Sequence, residues 1–122
     1  MNDITSKGYI YKIYFNRGSY SVSFYRIENN KEIFIHYQDN CGINPNDYPN
    51  LFGALSDENI FLCYRYQEFY QKYRAYLEKQ DYIMGQIKKQ ELCSCKGDTL
   101  HDALLTLEQE VLKLELGRGK KL

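Results

Sequence analysis

The side chains here best suited to chemistry are four cysteines and two histidines: Cys41, Cys63, Cys93, Cys95, His36 and His101. Cys93, Cys95 and His101 fall within nine residues around a glycine-containing segment. A thiolate from Cys41 or Cys63 would complete the tetrahedron that zinc prefers. The spacing argues against it. A C-x-C pair is not the usual C-x2-C knuckle, and these ligands would straddle a helix terminus, so no metal is expected. The cysteines are read as free thiols, with a Cys-x-Cys redox couple as the lesser reading.

Covalent catalysis needs a nucleophile held beside a base. Neither histidine adjoins a nucleophile motif. His36 is placed on the strand face opposite Ile33 and Ile35, and His101 in the first turn of a last helix, where a cation opposes the helix dipole. No Walker or dinucleotide loop is present, and Gly117-Arg118-Gly119 follows a helix where a phosphate cradle would precede one. The carboxylate pairs Asp57 with Glu58 and Glu108 with Glu110 are explained by helix capping and solvated faces. The expectation is a non-enzymatic protein with no cofactor.

Aromatic residues set the chain apart. Its 122 residues include 13 Tyr and 6 Phe against no Trp and 2 Pro. Part of that excess is what AT-rich codon usage produces. The rest suits an interface, because tyrosine joins an apolar body to a hydroxyl that seeks a partner. Charge is balanced, with 16 basic and 16 acidic residues, so no net field steers the chain toward phosphate backbones or anionic membranes. Neither a signal-peptide pattern nor an apolar run of membrane length is seen, which predicts a cytoplasmic protein without membrane contact.

The elements that would position these residues follow from periodicity. Tyr9, Tyr11, Ile13 and Phe15 alternate with Ile10, Lys12 and Tyr14, the period of a half-buried strand. Asn16-Arg17-Gly18-Ser19 reads as a turn, and Tyr20, Val22 and Phe24 as one face of a second strand. Glu28-Asn29-Asn30-Lys31 turns again into a third strand from Glu32 to Tyr37. Gln38 to Ser56 loses all period, and a loop of that length makes Asp39 to Ser56 a candidate binding loop. Ser56, Asp57 and Glu58 resemble a helix start. Ile60 to Tyr64 fits either a helix or a fourth strand, and the helix is preferred. Tyr66, Phe69, Tyr70, Tyr73, Leu77, Met84 and Ile87 recur mostly at spacings of three and four, the mark of a long amphipathic helix. Thr99 to Asp102 has the form of a capping box, opening a final helix with Leu100, Leu104, Leu107, Val111 and Leu114 as its apolar stripe.

The sequence therefore predicts one α+β domain over residues 1–122, frayed at 1–7 and 117–122. It would comprise a three-stranded antiparallel meander, or a four-stranded one, then a long helix and a shorter C-terminal helix. The stripe spans only about two heptads, too short to argue a coiled coil, so a monomer is favoured. The functional expectation is a small protein-binding module, of the kind that bacterial or phage accessory proteins use to inhibit or adapt a larger machine, anti-defence and toxin-neutralising proteins included. Tyr20, Tyr25, Tyr70 and Tyr76 are its expected anchors, with Arg17 and Arg26 beside them. The alternative is single-stranded nucleic-acid binding, with Tyr9, Tyr11, Tyr20 and Tyr25 stacking bases and Lys12, Arg17 and Arg26 meeting phosphates.

Overall fold

A computed structural model describes residues 9–56 and 59–114. The expectations for residues 1–7, for Asp57 and Glu58, and for the tail 117–122 lie outside the described residues. Six strands form one antiparallel sheet: β1 (Tyr9–Asn16), β2 (Ser19–Glu28), β3 (Lys31–Gln38), β4 (Ile60–Gln67), β5 (Lys72–Ile83) and β6 (Gln86–Gly97). Their order across the sheet is β3-β2-β1-β4-β5-β6. A short helix α1 (Pro49–Ala54), preceded by a 3-10 turn at Pro45–Asp47, joins β3 to β4, and α2 (Leu100–Val111) follows β6.

This corrects the expected architecture. No long helix runs through residues 66–92; that stretch is two hairpins, β4–β5 and β5–β6. The β5–β6 turn explains the disguise. Met84 and Gly85 both take positive φ, 53° and 80°, as a two-residue hairpin turn of matching twist requires. Arg17-Gly18 and Asn29-Asn30 do the same in the first two hairpins. Methionine is a weak signal for such a position, so the helical spacing continues through it unbroken. The residues that supplied the three-and-four spacing divide in the structure. Leu77 is buried, whereas Phe69, Tyr70, Met84 and Ile87 are exposed on turns and a projecting hairpin. The inward row of β5 is instead Tyr73, Ala75 and Leu77, at a strand period of two.

Both helices pack on one face of the sheet. Tyr11, Ile13, Val22, Leu62, Tyr64, Ala75 and Leu77 meet Leu51, Phe52 and Leu55 from the α1 region and Ala103, Leu104, Leu107 and Val111 from α2. Tyr11 stacks on Tyr64 at 5.1 Å between ring centres, with Phe24 edge-on to Tyr11. The Thr99 hydroxyl caps α2 by accepting from the Asp102 amide at 3.0 Å. Gly97 lets the chain turn onto that helix at close range: a Cβ there would stand 2.5 Å from the Ala103 nitrogen.

The 39–56 connection, expected as an open binding loop, largely plugs the core. Cys41, Tyr48, Leu51, Phe52, Ala54 and Leu55 are buried in it. Glu108 of α2 holds it there, accepting from the Asn50 and Leu51 amides at 2.9 Å each and from the Asn50 side chain at 2.6 Å.

Candidate interaction edge

The opposite face of the sheet carries no helix among the described residues, yet its centre is dry. Lys12 on β1 is 1 % exposed, and Ser21, Ser23, Cys63, Tyr76 and Glu78 are buried around it. A buried ammonium must be paired. Lys12 Nζ donates to Glu78 on β5 at 2.7 Å and to Glu32 on β3 at 2.8 Å, while Lys89 on β6 reaches the same Glu32 oxygen at 2.8 Å. Since β3 and β6 are the two outer strands, the sheet coils until side chains from its opposite borders meet over Lys12.

Burial alone would lower the Lys12 pKa. Cys63 and the hydrogen-bonded Glu32 and Glu78 outweigh it and hold the ammonium above its ordinary value. Cys63 acts this way only as a thiolate, and its own burial keeps the thiol protonated well past the usual range, so at neutral pH the two carboxylates do the holding. For Glu32, burial pushes upward, but hydrogen bonds from Lys12 and Lys89 prevail and its carboxyl titrates below the ordinary value.

This arrangement leaves two outer strands of contrasting character. Along β6 the exposed residues include Lys88, Lys89 and Glu91, charges of the sort that discourage strand addition. Along β3, Ile33, Phe34, Ile35, His36 and Tyr37 are all exposed, Phe34 at 56 %, and no charge falls between Glu32 and Asp39. A bulge shapes this strand. Phe24 faces His36 and Tyr25 faces Phe34, so Ile35 is the extra residue. As a result Phe34 and Tyr37, opposite Tyr25 and Ser23, share the Lys12 face although three residues apart. The Tyr37 hydroxyl donates to Asp39 just beyond the strand.

The expected anchors are dispersed. Tyr20 is half-buried on the helix-covered face, its hydroxyl donating to the Phe52 carbonyl at 3.2 Å. Tyr25 lies half-buried on the other face, 5.2 Å from the Lys12 ammonium and edge-on to Phe34. Tyr76, also on that face, is 5 % exposed beneath the Arg74 guanidinium, which makes it packing rather than contact surface. Tyr70 is exposed in the β4–β5 turn against Lys96. Arg17 occupies the β1–β2 turn, and Arg26 is paired with Glu28 at 2.7 Å. Tyr25, opposite Phe34, and Arg26, opposite Ile33, adjoin the β3 edge. The residues that form the edge, Ile33, Phe34 and Tyr37, lie in the expected third strand and not among the expected anchors; the signal that marks them is an apolar run on both faces between two turns.

Cys93 and Cys95 lie on β6 facing the core, opposite Leu77 and Ala75, and not at a helix end. Burial raises all four thiol pKa values, that of Cys93 to about 11, leaving each thiol protonated at neutral pH. No group of three or more His, Cys, Asp and Glu side chains suited to a metal occurs among the described residues. His101 is bonded to the Tyr48 hydroxyl through Nδ1 at 2.6 Å. His36, expected opposite Ile33, falls instead on Ile33's side of the sheet through the bulge, edge-on to Phe24. Among the described residues no helix is long and apolar enough to cross a membrane.

Comparison with protein-family models, with characterised proteins and with solved structures yields no match to this chain.

Proposed function

We propose that the protein is a small protein-binding module that docks through the open border of its sheet at β3. The supporting observation is the contrast between the outer strands: β6 carries charges along its exposed length, while β3 presents Ile33, Phe34, Ile35 and Tyr37 with none among them. An edge strand offers a row of unpaired backbone donors and acceptors, and side chains beside it set which strand can join. Action as an accessory inhibitor or adaptor extends this reading from the scarcity of catalytic motifs in the sequence. The stacking alternative draws no comparable support, since Tyr11 is buried, Tyr9 and Tyr20 lie on the helix-covered face and Tyr25 lies on the other.

The test is affinity purification from the native host, with mass spectrometry of retained proteins, comparing wild type, Phe34→Lys on β3 and Tyr82→Lys on the exposed β5–β6 hairpin. Loss of the retained protein with the first variant and retention with the second is the expected result. Equal retention by both would overturn the β3 reading, and salt-sensitive binding to single-stranded oligonucleotides would favour the alternative.

A further inference from the structure

We infer that the Lys12 face of the sheet carries a binding site for a small polyphosphorylated molecule, formed by Arg65 on β4, Arg74 on β5 and Lys96 on β6. The site stands apart from the docking border at β3 and does not depend on it. The strand registers set Arg65 opposite Arg74 and Arg74 opposite Lys96. Residues opposite one another on a ladder share a face. Cys63 and Tyr76, two residues away on β4 and β5, face each other on the Lys12 side, and no bulge intervenes. The three cations therefore form one row across three strands, roughly 10 Å from end to end at the spacing of neighbouring strands.

Folding does not call for such a row. Like charges directly opposite each other weaken a ladder. Nor is the row part of a generally basic chain, since 16 basic residues balance 16 acidic ones. Counter-ions are short here. Arg74 pairs with Glu91, and Lys72, further along the same face, pairs with Asp98. Among the described residues no carboxylate pairs with Arg65 or Lys96. Aromatic rings hold the row instead, with Arg74 4.1 Å from the centre of the Tyr76 ring and Lys96 3.7 Å from that of Tyr70. A ring face attracts a cation without neutralising it, so the charges are oriented and stay available. All three side chains are half-buried, their stems packed and their heads within reach of solvent.

Two guanidinium groups and an ammonium in line match linked phosphoryl groups. Each guanidinium can take phosphoryl oxygens in two parallel hydrogen bonds, and the ammonium meets a further one as a point charge. Glu91 and Asp98 bound the row on the β6 side. A compact polyphosphate fits between them, where a long strand of phosphates would run onto carboxylates.

Isothermal titration calorimetry of the full chain at low salt, with inorganic tripolyphosphate as the probe, reads the site. Wild type is expected to bind one equivalent and to melt higher in its presence. Arg65→Gln and Lys96→Gln should each weaken binding ~tenfold. Lys88→Gln removes the same charge from the opposite face of β6, beside Asp81, and should leave the affinity unchanged. Melting of each variant without the probe verifies its fold. Absence of both heat and melting shift in wild type overturns the inference. So does binding that survives both row variants, or a loss with Lys88→Gln as large as with Arg65→Gln, which would reduce the site to diffuse charge. A single-stranded oligonucleotide, or vesicles containing phosphatidic acid, held through the row while tripolyphosphate is not would equally overturn the choice of a small soluble ligand.

Discussion

The two borders of this sheet receive different support. β6 is backed along its core-facing side by α2, with Cys93, Cys95 and Leu92 against the core cluster, and carries charges on its exposed length. Among the described residues β3 has no helix behind it and contributes none to the buried core. One border is a load-sharing wall; the other is joined, among the described residues, to β2 by its ladder and to Lys12 and Lys89 by the Glu32 carboxylate. The difference teaches that the two borders are shielded unequally: charges lie along β6, while the apolar run of β3 stays open.

The comparison is broken most severely at the one residue that ties both borders together. Replacing Lys12 by Met leaves Glu78 buried without its ammonium and frees Glu32 from the centre of the sheet. Urea unfolding should show a loss of about 3–5 kcal/mol, the cost of removing one partner of a buried pair. The same network fixes a pH signature. The Glu32 carboxyl is depressed, so its contribution is present above about pH 4.5 and is lost as pH falls through its folded-state value. The Lys12 ammonium is raised, so its contribution is present below about pH 10.5 and is lost as pH climbs through its folded-state value. The stability gap between wild type and Lys12→Met should therefore be widest between those limits and narrow on either side.

Leu107→Ala attacks the wall behind β6 and should cost about 2–5 kcal/mol. Hydrogen exchange in that variant should quicken along β6 more than along β3; equal quickening would mean the two borders are not separately supported. Gly97→Ala acts at the junction of β6 and α2, where a Cβ meets the backbone of Ala103. Helix or strand must shift, at a cost of about 1–3 kcal/mol by thermal melting. Smallest is Lys89→Ala. Glu32 keeps Lys12 as a partner and the lost ion pair is partly exposed, so the expected change is about 0–1 kcal/mol. A larger loss would show that contact between the borders, and not the central lysine, keeps the sheet coiled.

Much of the first half of this fold was legible. Arg17-Gly18 and Asn29-Asn30 are turn residues of the ordinary kind, and alternation in Tyr9 to Phe15 is plain. The Thr99 cap announced α2. The second half concealed itself, because β5 and β6 extend past β4 into a projecting hairpin where Tyr82, Ile83, Met84 and Ile87 are exposed. Apolar residues that stay exposed need not follow a strand period, and chance spacing among them resembles a helix. Gly85 in mid-helix was the available objection. The site was less legible than the fold. Tyrosine count suggests an interface class without locating it, since Tyr76 is buried beneath Arg74 and the salience of Phe34 depends on β3 being outermost, a matter of strand order that local sequence does not express.

The grip of Glu108 on the first turn of α1 also sets a schedule. A helix of six residues cannot sustain itself in isolation, and its amides at Asn50 and Leu51 find their acceptor 58 and 57 residues later in the chain, with Tyr48 bonded to His101 53 residues away. As the chain is synthesised, the first three strands can form their hairpins at once and Tyr20 can reach Phe52, but the plug over their inner face lacks its Glu108 and His101 partners until α2 has left the ribosome. Until then the inner face around Tyr11, Ile13 and Val22 lacks the cover that α2 supplies. A truncation that removes α2 should therefore release the 39–56 segment as well, and turn a protein with one open border into one with an open face.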